Sequence, residues 1–172
     1  MPGWTAYSDG NPYPDMLYDT IALAGGFVSL YDNNSWPSLQ LQGDYYLRLM
    51  GVNYPGNETT TGVGQTGQIP PSARSLTFLA DFFGGPDQVS FAGNTLSVNV
   101  IATTPNYDVY QADISQYAGN TGELLFTTSL GGVMTLDNIQ FSTSPVPEPN
   151  SSAFFALGGL LVGLRHWRNA SR

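Results

Sequence analysis

The side chains of this sequence that could carry acid–base chemistry are carboxylates. The 172 residues include no Cys and no Lys, and the single histidine, His166, lies near the end of the chain. A thiol nucleophile, a Schiff-base lysine and a Cys/His zinc cluster are therefore excluded, and a Ser-His-Asp triad would have to use His166. Any enzymatic reaction would depend on the 13 acidic residues.

Two pairs of acidic residues are candidates for hydrolysis of a glycosidic bond. That reaction needs two carboxyl groups about 5–9 Å apart, one of them with a raised pKa. Asp81 and Asp87 flank a Phe-Phe-Gly-Gly-Pro loop, and Asp15 and Asp19 lie in an aromatic segment. Many acids on a small surface also form close pairs by chance. We therefore expect no enzymatic activity, and a surface glycoside-active enzyme with paired carboxylates is the alternative.

Aromatic residues are concentrated near the start of the chain, where Asp and Asn alternate with them. Sugar-binding modules combine these residue types because a sugar ring has an apolar CH face and a polar rim. The candidates for a glycan platform are Trp4, Tyr13, Tyr31 and Trp36. The plainer interpretation is that Trp4 and Trp36 close the ends of a β-sandwich, so binding of exopolysaccharide is a hypothesis.

A structural Ca²⁺ is the cofactor that the residue types permit. Asp32, Asn34 and Asp137 offer the hard oxygen ligands that Ca²⁺ prefers, although no EF-hand spacing is present. No other cofactor is expected. We thus treat these three residues as a candidate metal site.

Charge excludes one class of partner. The formal net charge is -8, from 13 acidic and 5 basic residues. Three of the five arginines lie in the last eight residues, so residues 1–164 carry 13 negative and 2 positive charges, a net charge of -11. Binding of nucleic acid requires clustered Lys and Arg, so we expect no nucleic-acid partner.

The elements that must position these side chains are β-strands. Charged residues make up 10% and aromatic residues 13% of a chain with 20 Gly and 12 Pro, a composition that favours an all-β domain rich in turns. Short apolar or alternating runs predict nine strands. They cover residues 26–31, 44–50, 62–68, 75–83, 88–91, 95–101, 107–112, 122–128 and 134–142. We expect an antiparallel β-sandwich over residues 1–142.

Three local features refine this prediction. The segment 4–19 is dense in Pro, Gly, Asn and Asp and favours an irregular loop. The polar, Gly-rich run 62–68 is typical of an edge strand. Residues 114–117 favour a short helical turn, with Asp113 as its cap and Gly119 closing it.

The composition changes after Ser142. Residues 143–149 form a Pro-rich linker, residues 150–164 a hydrophobic helix, and residues 165–172 a basic tail. The uncharged run 153–164 would extend about 18 Å as a helix, short of the roughly 30 Å of a bilayer core. With flanking residues and snorkelling Trp and Arg side chains, the segment favours a short transmembrane helix over a helix packed on the sandwich.

These tail elements resemble the PEP-CTERM sorting domain of Gram-negative bacteria that make extracellular polysaccharide. The resemblance covers residues 146–170 and rests on three features in order: a Pro-Glu-Pro motif, a short apolar helix with glycines and a terminal Arg cluster. By position, the motif residues are Val146, Pro147, Glu148 and Pro149, and the stop-transfer charges are Arg165 and Arg168.

The resemblance implies an exported protein. It implies passage through the secretory machinery, retention at the inner membrane by the C-terminal helix, recognition by the membrane protease exosortase, and a final location at the cell surface or in the extracellular matrix. Such a route needs a signal peptide, which Met1 to Trp4 do not provide. We therefore expect the domain to be N-terminally truncated.

The larger domain is also similar to a known group. Its runs at 64–70, 75–78, 107–113, 117–119 and 136–139 resemble the β-sandwich ectodomains found before PEP-CTERM tails, which are themselves similar to galactose-binding-like jelly rolls. The resemblance implies that the Leu-Asp-Asn-Ile segment forms the last core strand. Together, the tail and the composition of the domain indicate a structural or glycan-associated role in the extracellular matrix.

Overall fold

The computed structural model describes residues 3–21, 25–34, 41–83 and 87–146. In these ranges the chain is all-β, with one 3₁₀ turn at Ser115–Tyr117. Several predictions concern residues outside the described ranges, so they stay predictions. These are Trp36, the motif residues Pro147, Glu148 and Pro149, the helix 150–164, and the charges Arg165 and Arg168.

The strands in chain order are β1 (Thr5–Ser8), β2 (Asn11–Tyr13), β3 (Leu17–Tyr18), β4 (Phe27–Asp32), β5 (Tyr45–Met50), β6 (Val52–Tyr54), β7 (Asn57–Thr59), β8 (Thr61–Gln68), β9 (Ser75–Phe83), β10 (Gln88–Phe91), β11 (Asn94–Thr95), β12 (Val98–Thr103), β13 (Asp108–Asp113), β14 (Thr121–Thr127) and β15 (Val133–Ser142). Six of them form a sheet in the order β11-β10-β14-β8-β1-β2, and seven form a second sheet in the order β12-β13-β9-β15-β5-β4-β3. The short pair β6-β7 stands apart. Neighbouring strands are antiparallel except β3 and β4, which are parallel.

The two large sheets enclose the main hydrophobic core, which makes the described domain a β-sandwich. Alternate residues of a strand point to opposite faces, so every second residue of each sheet enters this core. The six-stranded sheet contributes Val63, Phe91 and Phe126, and the seven-stranded sheet contributes Leu76 and Phe78, all with 2% exposure or less. The predicted sandwich is confirmed at this level.

The seven-stranded sheet is apolar on both faces. The face turned away from the six-stranded sheet, here called the outer face, carries a second buried cluster containing Phe27, Tyr31, Tyr46 and Leu79. Leu41, which precedes β5, packs into the same cluster. The pattern of 45–50 explains this arrangement, because its two alternating sets of side chains are both largely apolar.

The predicted strand positions are confirmed, with three corrections. The segment 4–19 is not an irregular loop, because β1, β2 and β3 lie within it. Its Pro and Gly residues instead mark short strands and tight turns between them. The run 62–68 is not at an edge, since β8 lies between β14 and β1. Gly62 and Gly64 pack against β14, which explains why these positions of a central strand lack side chains.

The third correction concerns the predicted strand 95–101. This segment divides into β11 in the six-stranded sheet and β12 in the seven-stranded sheet, so the chain changes sheets at Leu96. Leu96 is buried in the main core, which holds this corner. The preceding hairpin turns at Ala92 and Gly93, both with positive φ. Two residues of this kind match a type I′ hairpin turn.

The predicted helical turn is confirmed in its 3₁₀ form. The N-cap residue is Ile114 rather than the predicted Asp113, although the backbone N–H of Ser115 donates to Asp113 Oδ1 at 2.8 Å. Gly119 closes it with a φ of 80°. In the ranges given above, no helix has the length and apolar composition needed to cross a membrane.

Among the glycines of the described ranges, Gly51 is the one at which a side chain would meet the closest contact. A Cβ atom built on Gly51 would lie 2.2 Å from the carbonyl oxygen of Ser129 and 3.1 Å from that of Thr59. Both neighbours are backbone atoms, so the two chain segments would have to separate. By contrast, a Cβ on Gly67 would meet no atom within 4 Å.

We expect Gly51→Ala to lower the free energy of unfolding by about 3 kcal/mol or more, because overpacking against backbone cannot be relieved by a rotamer change. Gly67→Ala is the matched control and should stay within about 0.5 kcal/mol of the wild type. Urea titration followed by circular dichroism measures both values. Equal stability of the two variants would contradict the close packing at Gly51.

Candidate functional site

The candidate site is a crevice around Trp4, lined by residues from both large sheets. Trp4 precedes β1 and is half-buried against the main core. Its ring lies 6.5 Å from that of Phe126, measured between centroids, with an angle of 39° between the planes. Three surface cavities have Trp4 as a common wall. The Trp4 crevice is the name used below for these three cavities together.

The first cavity joins Trp4 to a second predicted aromatic. It has a volume of about 450 Å³ and is lined by Trp4, Tyr13 and Met16 with two prolines, Pro12 and Pro14. Tyr13 is 47% exposed at the edge strand β2. Prolines hold the backbone on both sides of Tyr13, so the aromatic surface has little freedom to collapse. The structure therefore brings together two of the four predicted platform residues.

The second cavity lies between Trp4 and the seven-stranded sheet. It has a volume of about 400 Å³ and is lined mainly by apolar side chains, including Leu47 and Ile139, together with Tyr45 and the polar pair Asp137 and Asn138. Tyr45 is 49% exposed at the start of β5. A mostly apolar wall with a few polar groups at one side is the usual composition of a small-ligand site.

The polar side of this cavity is a hydrogen-bonded network on a β-bulge. The register of β15 against β9 shifts between Asp137 and Gln140, and Asn138 adopts a φ of 49°. The Asp137 carboxylate accepts from the backbone N–H groups of Asn138 at 2.6 Å and Gln42 at 3.1 Å. Asn138 Nδ2 donates to Gln42 Oε1 at 3.4 Å, and Gln140 Nε2 donates to Asn138 Oδ1. The bulge thus aims amide groups toward the cavity.

Burial raises the pKa of Asp137, and the two backbone hydrogen bonds from Asn138 and Gln42 oppose that effect. Gln42 also donates from Nε2 to the Tyr107 hydroxyl at 3.1 Å. Because its oxygens accept these N–H groups, the carboxylate acts as the fixed centre of the network.

The third cavity opens on the side of the six-stranded sheet. It has a volume of about 280 Å³ and is lined by Trp4, Gln65, Phe91, Ile139 and Phe141, among other residues. Phe141 is 41% exposed. Gln65 adds a flexible amide beside Trp4. Two of the three cavities therefore combine aromatic surface with side-chain amides, Gln65 in one and Asn138 in the other.

Tyr31 does not belong to the predicted glycan platform, which is a correction. It is 1% exposed and stacks on Tyr46, with 5.5 Å between ring centroids and 9° between planes. Its hydroxyl donates to the carbonyl oxygen of Thr20 at 3.0 Å. The ring packs in the cluster on the outer face and offers no surface to a ligand.

The candidate calcium ligands do not converge in the described part of the chain. Asp32 Oδ1 accepts from the backbone N–H of Asn34 at 2.7 Å and from its side-chain Nδ2 at 2.9 Å, which closes a local turn. Asp137 lies on β15, separated from β4 by the whole of β5. No group of three or more His, Asp or Glu side chains placed to hold a metal ion occurs in residues 3–21, 25–34, 41–83 and 87–146.

The predicted carboxylate pairs are placed in different environments. Asp81 lies exposed on the outer face, whereas Asp87 lies just before β10 in the other sheet. In the remaining pair, Asp15 is exposed and Asp19 is half-buried. Asp81 lines a small cavity of which Asp87 is not a wall. None of the cavities described here is lined by both Asp81 and Asp87, although burial raises the pKa of Tyr110 and both carboxylates add to that effect.

Among the acidic residues of the described ranges, Asp87 is the one whose pKa is shifted most. Burial raises the pKa of its carboxyl to about 6, against a weaker opposing effect of the hydrogen bond from the Ser129 backbone N–H, which is 3.1 Å long. Its Oδ2 and the Ser129 hydroxyl oxygen are both buried without a hydrogen-bond partner among the described residues. Asp87 therefore favours the protonated form more than an ordinary aspartate.

Sequence reasoning missed several residues of the crevice. The sequence pattern indicates Tyr45 only as part of the strand 44–50. It does not indicate Gln42, Gln65 or Asn138 as site residues. A signal was present at Asn138, because an Asn between a core strand and a following apolar residue is a common choice for a positive φ. Nothing in the sequence indicated that the loop before β5 would meet that bulge.

Comparison with known proteins finds similarity to a solved structure but to no family model or curated protein. No family model matches the chain, and no curated protein matches it. Among solved structures, the enzymatically active domain of tailspike protein 4 of bacteriophage CBA120 is similar at 14% identity and a TM-score of 0.47. The match covers 82% of this chain and 19% of the tailspike chain, so this chain spans about a fifth of its length. The similarity does not transfer the tailspike's activity to this chain.

We expect stability to depend on pH through Asp87. Because its folded pKa of about 6 lies above the unfolded value of 3.8, the carboxyl stabilises the fold below about pH 4, and this contribution is lost as pH rises through 6. Asp87→Asn should therefore gain stability relative to the wild type between pH 4 and pH 7.5. We expect about 1 kcal/mol after screening by solvent, or roughly 2–4 °C in melting temperature.

The control for this experiment is Asp113→Asn, which should show the opposite sign. The hydrogen bond from the Ser115 backbone lowers the pKa of Asp113, so this carboxylate stabilises the fold above the unfolded pKa and loses that effect as pH falls. Thermal melts at pH 4 and pH 7.5 measure both variants. A melting-temperature difference for Asp87→Asn that does not change with pH would contradict the burial of this group.

Proposed function

We propose that this chain is a bacterial surface protein, exported and sorted through its C-terminal segment, whose β-sandwich binds exopolysaccharide without catalysis. The observation that carries the binding proposal is the convergence of three cavities on Trp4. The partners of the protein would be the secretory machinery, the inner membrane and exosortase before processing, and the polysaccharide afterwards. Its final location would be the cell surface or the extracellular matrix of a Gram-negative bacterium.

The composition of the Trp4 crevice supports a sugar ligand. Trp4 and Tyr13 supply apolar faces for sugar CH groups, and Asn138 and Gln65 supply amides for hydroxyl groups. The cavities of about 280 to 450 Å³ are near the usual range for small-ligand sites, roughly 300–1,000 Å³. A polymer could occupy more than one of them, because they share the wall at Trp4.

The position of the tail supports the sorting proposal. The backbone N–H of Arg74 donates to the Ser142 carbonyl at 2.7 Å, and the Ser75 hydroxyl donates to the Ser144 carbonyl at 2.8 Å. The chain is thus attached to the sandwich up to Ser144, two residues before Val146. A protease motif that directly follows a folded domain remains accessible while the domain stays folded. We propose that exosortase recognises Pro147, Glu148 and Pro149 at this point.

Within this proposal the sandwich is a galactose-binding-like jelly roll. The Leu136 to Ile139 segment lies in β15, the last strand in chain order among the described residues, which supports this proposal.

The alternative function is a surface glycoside-active enzyme. The observation that favours it is the pKa of Asp87 at about 6, a value suited to a general acid. Asp87 lines none of the cavities described above, and its candidate partner Asp81 lies exposed on the outer face of the other sheet. We therefore place binding before catalysis.

We expect Trp4→Ala to weaken binding of the purified protein to the exopolysaccharide of its own bacterium by about tenfold or more, since a large stacking face is removed. Tyr13→Ala should have a smaller effect in the same direction, and it tests the site if Trp4→Ala fails to fold. Tyr54→Ala is the control, because Tyr54 is 71% exposed on β6 and lines none of the three cavities. Isothermal titration calorimetry measures the affinities, and a flat wild-type titration would count against the binding function.

We expect Glu148→Gln to block processing in a Gram-negative host that carries exosortase. The precursor should accumulate in the membrane fraction at its full size, because the motif loses its charged group. Glu58→Gln removes the same charge from the exposed strand β7 and should be processed normally. Immunoblotting of membrane and surface fractions separates the outcomes, and normal processing of Glu148→Gln would rule out this motif as the signal.

A further inference from the structure

The outer face of the seven-stranded sheet carries a further small cavity, and none of its lining residues belongs to the Trp4 crevice. It has a volume of about 230 Å³ and is lined by Arg48, Asp81, Phe83, Val133 and Thr135. This set is called the Arg48–Phe83 pocket. Nothing in the sequence pattern indicated it, because its five residues come from three separate strands.

Strand register explains how the pocket is assembled. Thr135 of β15 pairs with Arg48 of β5 on one side and with Asp81 of β9 on the other. The three side chains therefore form one polar row across three adjacent strands. Since neighbouring strands are about 4.8 Å apart, the Cα atoms of Arg48 and Asp81 are separated by roughly 10 Å.

A second row beside the first is apolar. Val133 pairs with Met50 on one side and with Phe83 on the other. Phe83 is 75% exposed, more than any other large apolar side chain of the described residues. The pocket thus has an apolar surface formed by Phe83 and Val133. Beside it lies the polar row, with the Arg48 cation at one end and the Asp81 anion at the other.

One donor of the polar row has no partner within the described part of the chain: Arg48 Nε is buried and makes no hydrogen bond there. An unpaired buried N–H group is costly, and Arg48 lines the pocket, so its guanidinium is the donor that a ligand oxygen in the pocket would meet. Thr135, with 3% exposure, lies between the two charged residues at the floor of the row.

We propose that the Arg48–Phe83 pocket binds one neutral sugar ring of a polysaccharide. The CH face of the ring packs on Phe83 and Val133, Arg48 donates to sugar oxygens at one end, and Asp81 accepts from sugar hydroxyls at the other. An acidic sugar fits less well, because Asp81 and the net charge of -11 over residues 1–164 repel it. The pocket is a separate site that goes beyond the Trp4 crevice.

The test is a titration of the full chain, labelled with ¹⁵N, with three neutral hexasaccharides (maltohexaose, cellohexaose and mannohexaose) and with oligogalacturonate as the acidic probe. We expect at least one neutral probe to shift the backbone amide signals of Thr135 and Phe83 in a saturable way. Oligogalacturonate should shift them less at equal concentration.

Variants assign the effect to the pocket. Phe83→Ala and Asp81→Asn should each weaken this binding by about tenfold, whereas the controls Tyr54→Ala and Asp113→Asn should leave it unchanged. Phe83 and Asp81 are exposed, so both variants should fold, which thermal melts check. The Thr135 shift should persist in Trp4→Ala, so failure of the Trp4 crevice and failure of this pocket give different results.

Three outcomes would overturn the proposal. They are the absence of any saturable shift at Thr135 with all three neutral probes, wild-type affinity in Phe83→Ala, and loss of the Thr135 shift in Trp4→Ala. A stronger response to oligogalacturonate than to the neutral probes would overturn the assignment of a neutral ligand.

Discussion

The contact between Phe126 and Phe78 is the interaction on which the sandwich and its crevice both depend. The two rings belong to opposite sheets and meet edge to face with 5.2 Å between centroids. Phe78 stacks in turn on Tyr110 at 5.4 Å, and Phe126 supports Trp4. This aromatic chain fixes the distance between the sheets at the end where Trp4 stands. The crevice is therefore a consequence of core packing, and its walls are held before any ligand arrives.

The seven-stranded sheet buries apolar side chains on both of its faces, and this bears on function. One face forms the main core, and the outer face carries the cluster around Tyr31 and Tyr46. Burial raises the pKa of both hydroxyls, while the nearby Arg48 guanidinium lowers it, so the Arg48 charge acts close to this cluster. A sheet packed on two sides holds its polar row rigidly, which suits recognition of a ring with fixed hydroxyl positions.

The sequence predicted the strands well where alternation was strong and less well elsewhere. The run Ser75–Phe83 gave the correct division of its side chains between the two faces. The short strands around Tyr13 escaped prediction because Pro and Gly, which bound them, also favour loops. Asn138 and Gln42 meet only through tertiary structure, 96 positions apart, and no local pattern could reveal that contact. For the same reason Tyr31 resembled a platform residue in sequence but is buried in the fold.

The central claim is that Trp4 is the contact point for a saccharide. The most direct measurement is the indole N–H signal of Trp4 in a ¹⁵N-resolved NMR spectrum of the full chain, assigned with the variants Trp36→Phe and Trp167→Phe, during titration with fragments of the bacterium's own exopolysaccharide. The account predicts a saturable shift of this signal. A Trp4 signal that stays fixed throughout the titration would contradict it.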